Sequence, residues 1–133
     1  MIASAEWKQG RLFDGKSASG HTIHFDATPQ HTAGPSPMEA VLAGLCGCTS
    51  VDVVSILQKK REPLEGLTVT ATAEQAAEPP QVFTRIHLTY RIRGKVAQKA
   101  AEDAVALSKS KYCSVSKMLE KSAYIDYSIE YES

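Results

Sequence analysis

The sequence predicts an α+β protein with a hairpin-rich N-terminal part, a long central helix and a closing strand. Three observations support this. Several short stretches alternate apolar and polar residues, as half-buried strands do. A capped, apolar segment in the middle has the signals of a helix. The strand-like and helix-like segments also occur in groups rather than in strict alternation. The predicted order is two or three strands, a helix, two strands, two helices and a strand.

Length and composition bound what the chain can be. Its 133 residues predict one domain over residues 1–133. Fifteen Lys and Arg balance fifteen Asp and Glu, so no excess positive charge favours nucleic acid. The longest apolar run, residues 40–48, is about half of a bilayer crossing. Glu6 and Lys8 stand where a signal peptide would be apolar. We therefore expect a cytoplasmic protein that binds neither nucleic acid nor membranes.

The N-terminal part is expected to form hairpins. Residues 2–8 and the alternating stretch His21–Asp26 have strand-like patterns. Asp14–Gly15 and Ser19–Gly20 are turn-forming pairs. The sequence therefore predicts two strands around turns at these pairs, with room for a third strand.

The central helix has a clear start signal. Ser36 is a capping residue, Pro37 suits the first helical position, and Glu39 completes a capping box. The helix is predicted to run to about Arg61, because Pro63 prevents its continuation.

This helix is apolar on all sides, so we expect it to be mostly buried. Apolar or small residues recur three and four positions apart on one side, and further apolar residues fill the other: Val51, Val54 and Leu57. Gly44 and Gly47 each cost about 1 kcal/mol relative to Ala inside a helix. They predict a packed neighbour whose backbone comes close.

The C-terminal half alternates strands and short helices. Residues 67–73 and 82–92 have strand patterns, separated by a turn at residues 78–80. An amphipathic helix is predicted from Lys95 to about Ser108 and a second from near Cys113. Residues 122–132 alternate again and predict the final strand.

Three cysteines without a secretion signal indicate thiols rather than a disulfide framework. Cys46 and Cys48 lie about 200° apart around the helix, so they cannot pair with each other. A helical Cys is ordinarily a small buried hydrophobe, and we assign Cys46 to that role.

No metal or cofactor site is expected. A site built from Cys46 and Cys48 would need both thiolates on one side of the helix, which a regular helix prevents. His21 and His24 are three positions apart on a strand and therefore point to opposite faces.

The segment PSPMEAVLAGLCGCTSVDVVSIL, followed later by KYCSV, resembles the OsmC/Ohr family of thiol-dependent hydroperoxide reductases. More narrowly, it is similar to the short OsmC-like branch, and the resemblance covers nearly the whole chain. It implies an OsmC-like fold and an intertwined homodimer with two active sites near the subunit interface. By motif, Cys48 matches the peroxidatic cysteine of the family and Cys113 the resolving cysteine.

The resemblance implies a peroxidase for organic hydroperoxides. The Cys48 thiolate would attack the O–O bond and become a sulfenic acid, which Cys113 would convert to a disulfide. A dithiol reductant, such as a lipoylated protein, would then reopen that disulfide by exchange.

A thiolate near neutral pH needs a positive neighbour. Cys48 lies about 18 Å along the helix from Ser36, so the helix dipole is too distant to help. An Arg is the best candidate, because its charge is permanent and its planar fork can hold two partners. The family takes this Arg from the N-terminal hairpin region, where Arg11 lies. The other candidates are Arg61, Arg85, Arg91 and Arg93.

The family also uses a Glu at the start of the central helix, and this sequence departs from that pattern. The corresponding position is occupied by Met38, and Glu39 follows one residue later. Glu39 is a catalytic candidate whose place in the capping box is sufficient reason for its presence. Asp52, four residues after Cys48 and on the same face, is the other candidate partner. Without a cation it would oppose thiolate formation.

Two alternatives stay open at this point. Cys113 lies at a predicted helix start beside Lys109, Lys111 and Lys117, which would lower its pKa and make it the better thiolate. The motif favours Cys48 instead. The alternative function is a stress-associated dimer that binds a small apolar ligand or senses redox state; a different thiol-transfer reaction on this scaffold is the third.

Overall fold

The computed structural model describes residues 1–132 and confirms the α+β class. It contains two three-stranded sheets and three α-helices. The elements in chain order are β1 (Ala3–Gln9), β2 (Leu12–Ser17), β3 (Thr22–Asp26), α1 (Pro37–Lys59), β4 (Gly66–Gln75), β5 (Phe83–Arg93), α2 (Gln98–Leu107), α3 (Ser114–Leu119) and β6 (Tyr124–Glu132).

The chain divides into two compact units, one covering Met1–Leu42 and the other starting at Ala43. The boundary falls inside α1, so this helix contributes to both units. Each unit is described by itself below.

The first unit is an antiparallel sheet in the order β1-β2-β3. The predicted turn at Asp14–Gly15 is wrong, because both residues lie inside β2. Gly15 pairs with Ile23, and any side chain at position 15 would collide with the ring of Phe25. A glycine here leaves space for the Phe25 ring, and the chain turns earlier, between β1 and β2.

The start of α1 confirms the predicted capping box. The backbone N–H of Glu39 donates to the Ser36 hydroxyl at 3.1 Å, and the N–H of Ser36 donates to the Glu39 carboxylate at 2.9 Å. The helix ends at Lys59, two residues before the predicted end.

The expected burial of α1 on all sides is wrong for the single chain. Its buried residues recur every four positions and form one line: Leu45, Thr49, Val53 and Leu57. On the other side Val51 is 69% exposed and Val41 39%. Within residues 1–132, no neighbour comes within 4 Å of a side chain built at Gly44 or Gly47. One sheet covers only one face of a helix, so the opposite apolar face stays open.

α1 also has the length and apolar composition that a membrane-spanning helix needs. The sequence expectation rested on uninterrupted apolar runs, whereas α1 is interrupted by small and hydroxyl residues and carries three charged residues, Glu39, Asp52 and Lys59. Core helices of soluble proteins have the same length and composition, so these two features are weak evidence for a membrane span.

The second unit is built on the sheet β4-β5-β6, with β5 in the middle. β4 and β5 are antiparallel, whereas β5 and β6 are parallel and are joined by the crossover through α2 and α3. One face of β5 is buried and forms the centre of the core: Ile86, Leu88, Tyr90 and Ile92. The alternating residues of β5 point to the other face.

Between α2 and α3 the chain forms a wider turn over Ser108–Tyr112, which we call the π turn. It is closed by the N–H of Cys113, which donates to the carbonyl of Ser108 at 2.8 Å, five residues back. The sequence predicted a helix end near Ser108 but not this turn. Turns of this kind are rare and occur often at functional sites.

Candidate functional site

The second unit brings Cys48 and Cys113 together. Cys48 lies in the middle of α1 and is half-buried, whereas Cys113 follows the π turn and is completely buried. The two side chains are neighbours, because Cys48 contributes to the raised pKa of the Cys113 thiol. Residues 65 positions apart in the sequence thus form one dithiol site, with only the Cys48 side open to solvent.

Cys113 caps the start of α3. Its sulfur accepts a hydrogen bond from the N–H of Ser116 at 3.5 Å, and the Ser116 hydroxyl donates to the carbonyl of Cys113 at 3.2 Å. Burial nevertheless raises the pKa of the Cys113 thiol, and the neighbouring Cys48 adds to that rise. The N–H of Ser116 works in the opposite direction and does not overcome the burial.

The sequence-based argument that nearby lysines lower the pKa of Cys113 is therefore wrong. Lys117 forms an ion pair with Glu120 at 3.2 Å. The Lys111 ammonium lies over the ring of Tyr112, 5.3 Å from its centre. Lys111 and Lys117 are close to Cys113 in sequence, but their charges are not among the causes of its pKa shift. Burial of the thiol determines the direction of that shift.

Cys46 is separate from this pair. Its thiol meets the backbone of Ala71 in β4, and burial raises its pKa. This placement agrees with the helical spacing, which turns Cys46 and Cys48 to opposite sides. Cys46 packs between α1 and the sheet.

A chain of buried hydrogen bonds runs beside the two thiols. The Tyr90 hydroxyl lies 2.7 Å from that of Thr49, which lies 2.8 Å from the Ser108 hydroxyl. Ser108 in turn donates to the carboxylate of Asp52 at 2.9 Å. This hydroxyl network, defined as Tyr90, Thr49, Ser108 and Asp52, ties α1 to β5 and to the π turn.

Sequence reasoning identified only Asp52 from the hydroxyl network. It missed Thr49, Ser108 and Tyr90. Thr49 occupies a buried position in an apolar helix, and Ser108 follows the apolar face of α2. A hydroxyl residue at a position expected to be buried is the sequence signal that could have predicted this network, because a buried hydroxyl needs a hydrogen-bond partner.

Glu39 and Arg11 lie in the first unit. The Glu39 carboxylate is occupied by the capping box, nine residues before Cys48, or about 13.5 Å along the helix axis. Arg11 is exposed between β1 and β2, and its carbonyl accepts from the N–H of Ala27 at 3.0 Å.

The arginines of β5 point away from the core face that holds the thiols. Arg85 lies 3.7 Å from Glu74 and equally far from Asp126, and its guanidinium stacks over Tyr124. Arg91 pairs with Glu130 at 3.1 Å, and Arg93 donates to the carbonyl of Glu65 at 3.1 Å. Arg61 is exposed just after α1. None of these contacts joins an arginine of β5 to the thiols.

A surface cavity of about 410 Å³ lies at the Asp52 end of the hydroxyl network. Its walls combine apolar side chains with two lysines, and its lining residues are Asp52, Ser55, Ile56, Lys59, Lys60, Leu107 and Tyr112. The network thus runs from the buried core at Tyr90 to a carboxylate at an open cavity.

Comparisons with known proteins agree on one family. The family model described as "OsmC-like protein" matches residues 29–128. Protein YhfA of Escherichia coli (strain K12) is 46% identical over 131 residues, which cover 98% of this chain and 97% of YhfA. The crystal structure of a hypothetical protein from Aquifex aeolicus VF5 is 30% identical with a TM-score of 0.85, covering 99% of this chain and 97% of that one.

One further solved structure shares the fold. It is described as an organic hydroperoxide resistance protein OsmC from Legionella pneumophila, and it is 21% identical with a TM-score of 0.75. The match covers 97% of this chain and 95% of that one. At this identity the likeness shows a shared fold.

Proposed function

The chain belongs to the family of OsmC-like proteins, and on that premise we propose that it is a cysteine-based peroxidase that reduces organic hydroperoxides. The observation that carries the proposal is the proximity of a partly exposed cysteine, Cys48, to a fully buried one, Cys113. A peroxidase of this kind needs one thiol that meets the substrate and a second one within bonding reach.

Exposure supports the assignment of roles. A hydroperoxide from solvent can reach only the Cys48 side of the pair. Burial keeps Cys113 protonated at neutral pH, because it raises the pKa of that thiol. Cys48 is therefore the attacking residue and Cys113 the resolving one, as the family motif also implies.

The proposed reaction has three steps. The Cys48 thiolate attacks the terminal oxygen of ROOH, the O–O bond breaks, and the alkoxide leaves as the alcohol after taking up a proton. The Cys113 sulfur then bonds to the Cys48 sulfenic sulfur, and the hydroxide leaves as water with the thiol proton. A dithiol reductant, such as a lipoylated protein, restores both thiols and is itself oxidised to a disulfide.

A cation would favour the thiolate of Cys48, and the family resemblance makes Arg11 the proposed source of that cation. The arginines of β5 are turned to the opposite face of their sheet and held there by Glu74, Asp126 and Glu130. Arg11 is exposed and lies in the part of the chain from which the family draws its arginine. Replacing it by Ala is expected to lower the rate of the first attack.

The partner for the open face of α1 is a second copy of this chain. That face carries exposed Val41 and Val51, with uncovered glycines at positions 44 and 47. A large exposed apolar face on a single chain indicates an interface. The homodimer is tested by light scattering on Val51→Lys, with Thr68→Lys on the exposed side of β4 as a control. A monomeric Val51→Lys variant beside a dimeric control supports the interface, and two dimeric variants contradict it.

The peroxidase is tested by measuring cumene hydroperoxide consumption with dithiothreitol as the reductant. Cys48→Ser is expected to lose activity by at least about 100-fold. Cys46→Ser is the matched control, because it removes a thiol from the same helix but on the side of β4. In the absence of dithiothreitol, Cys113→Ser is expected to react once and to accumulate a sulfenic acid. Equal rates for the native protein and Cys48→Ser would overturn the proposal.

A second candidate, a redox-sensing dithiol without efficient turnover, is favoured by one observation. The position where the family has its Glu holds Met38, and the Glu39 carboxylate is occupied by the capping box. The two functions separate on turnover number. With excess dithiothreitol, which reopens the disulfide in either case, a sensor turns over slowly and a peroxidase rapidly.

A further inference from the structure

The hydroxyl network has only one consistent direction of hydrogen bonding when Asp52 is ionised. A carboxylate only accepts, so the Ser108 proton is used on Asp52. Ser108 must then accept from Thr49, whose single proton is used in that bond. Thr49 in turn must accept from Tyr90. One charge at the end of the chain thus orients three hydroxyls.

The residues of the network stand next to both reacting thiols. Thr49 directly follows Cys48 on α1, and Asp52 lies one turn further on. Ser108 opens the π turn, and its carbonyl holds the N–H of Cys113 at 2.8 Å. Ser108 therefore binds α1 through its side chain and Cys113 through its backbone. It connects the two segments whose separation sets the distance between the thiols.

We propose that Asp52 is a positioning residue for the dithiol reaction: through Ser108 it fixes the π turn against α1 and so presents Cys113 to Cys48. Its carboxylate accepts a hydrogen bond from Ser108, through which it acts on Cys113. Its effect is to raise the effective concentration of one thiol at the other, as rigid placement does for any intramolecular reaction. The inference rests on the proposed function only in its use of the same thiol pair.

The test measures how readily the two thiols form a disulfide, without any peroxide. The protein is equilibrated with oxidised and reduced glutathione, one oxidised glutathione giving the Cys48–Cys113 disulfide and two reduced glutathiones. The equilibrium constant gives the effective concentration of the pair. This readout works whether or not the protein is a peroxidase, so the two proposals fail separately.

Asp52→Ala is expected to lower the effective concentration at least 10-fold. Asp52→Asn keeps an oxygen that can accept the Ser108 proton, so it is expected to stay within about 3-fold of the native protein. Ser108→Ala is expected to match Asp52→Ala, and the double variant to lose no more than either single one, because both remove the same connection. If Asp52→Ala does not fold, Ser108→Ala and Asp52→Asn carry the comparison.

The control for general loosening of the core is Val53→Ala. Val53 is completely buried on the same helix, one residue after Asp52, and has no group that can join the network. A Val53→Ala variant that loses stability but keeps its effective concentration supports positioning by Asp52. The proposal is overturned if Val53→Ala lowers the effective concentration as much as Asp52→Ala, if Asp52→Asn falls as far as Asp52→Ala, or if Asp52→Ala has no effect.

Discussion

The hydroxyl of Thr49 lies 2.8 Å from that of Ser108, across 59 residues of sequence. Thr49 is the neighbour of Cys48, and Ser108 opens the turn that ends at Cys113. The contact is completely enclosed, since both residues are buried. It joins the backbone segments that carry the two thiols. Substitution of Thr49 or Ser108 is therefore expected to alter the position of one thiol relative to the other.

The order of thiol modification tests the contrast between the two cysteines. Iodoacetamide at neutral pH is expected to label Cys48 at least about 10-fold faster than Cys113, because only thiolates react and Cys113 is buried and protonated. Labelling of Cys113 should rise only at alkaline pH, above the ordinary range for a thiol. Peptide mass spectrometry over time measures both rates, and faster labelling of Cys113 at pH 7 would contradict the assignment.

The loop after β3 is expected to make the first unit sensitive to acid. The Asp26 carboxylate accepts from the N–H and hydroxyl of Thr28 at 2.8 and 2.6 Å and from the N–H of Ala33 at 3.0 Å. These bonds lower the pKa of Asp26 to about 2. A lowered pKa means that the folded state favours the ionised form, so its stabilisation is complete above about pH 4 and is lost as the pH falls towards 2.

Thermal unfolding between pH 2 and pH 6 checks this. Asp26→Asn is expected to lower the melting temperature at pH 6 and to flatten its fall below pH 4. Asp103→Asn is the control, because Asp103 forms an exposed ion pair with Lys99 that contributes little to stability. If the melting temperature of Asp26→Asn falls with pH as it does in the native protein, the hydrogen bonds of Asp26 are not the cause of the acid sensitivity.

Tyr90 is expected to make the second unit sensitive to alkali. Burial is the main cause that raises the pKa of its phenol to about 12. The folded state therefore holds the proton more tightly than the unfolded state, so stability is complete below about pH 10 and falls as the pH rises towards 12. Absorbance titration of the tyrosines should show that Tyr90→Phe removes the last phenol to ionise. If the last ionisation persists in that variant, the assignment to Tyr90 is wrong.

The contact between Gly15 and Phe25 should make position 15 intolerant of a side chain. Gly15→Ala is expected to cost about 1–3 kcal/mol of unfolding free energy, because the new methyl group meets the Phe25 ring. In the double variant Gly15→Ala/Phe25→Leu the smaller leucine replaces the ring, so this variant should recover part of the lost unfolding free energy. Urea denaturation measures both values, and a neutral Gly15→Ala variant would show that the ring moves aside freely.

The parts of the fold that follow local rules were predictable from the sequence. The start of α1 is one such case. Ser36 and Glu39 are three residues apart, and the side chain of each accepts a hydrogen bond from the backbone N–H of the other. The alternation in β5 is another, because the side-chain direction of a strand changes at every residue. Asp14–Gly15 failed because the reason for that glycine is the ring of Phe25 on the neighbouring strand.

For the site, the sequence alone determined three things: the local elements, the two cysteine positions through a family motif, and the opposite orientation of Cys46. The tertiary structure alone decided that Cys113 is buried and therefore protonated, and that Thr49, Ser108, Tyr90 and Asp52 form one network. The physical reason is that burial and long-range hydrogen bonds depend on which distant segments pack together. Local charges and spacing carry no information about that packing.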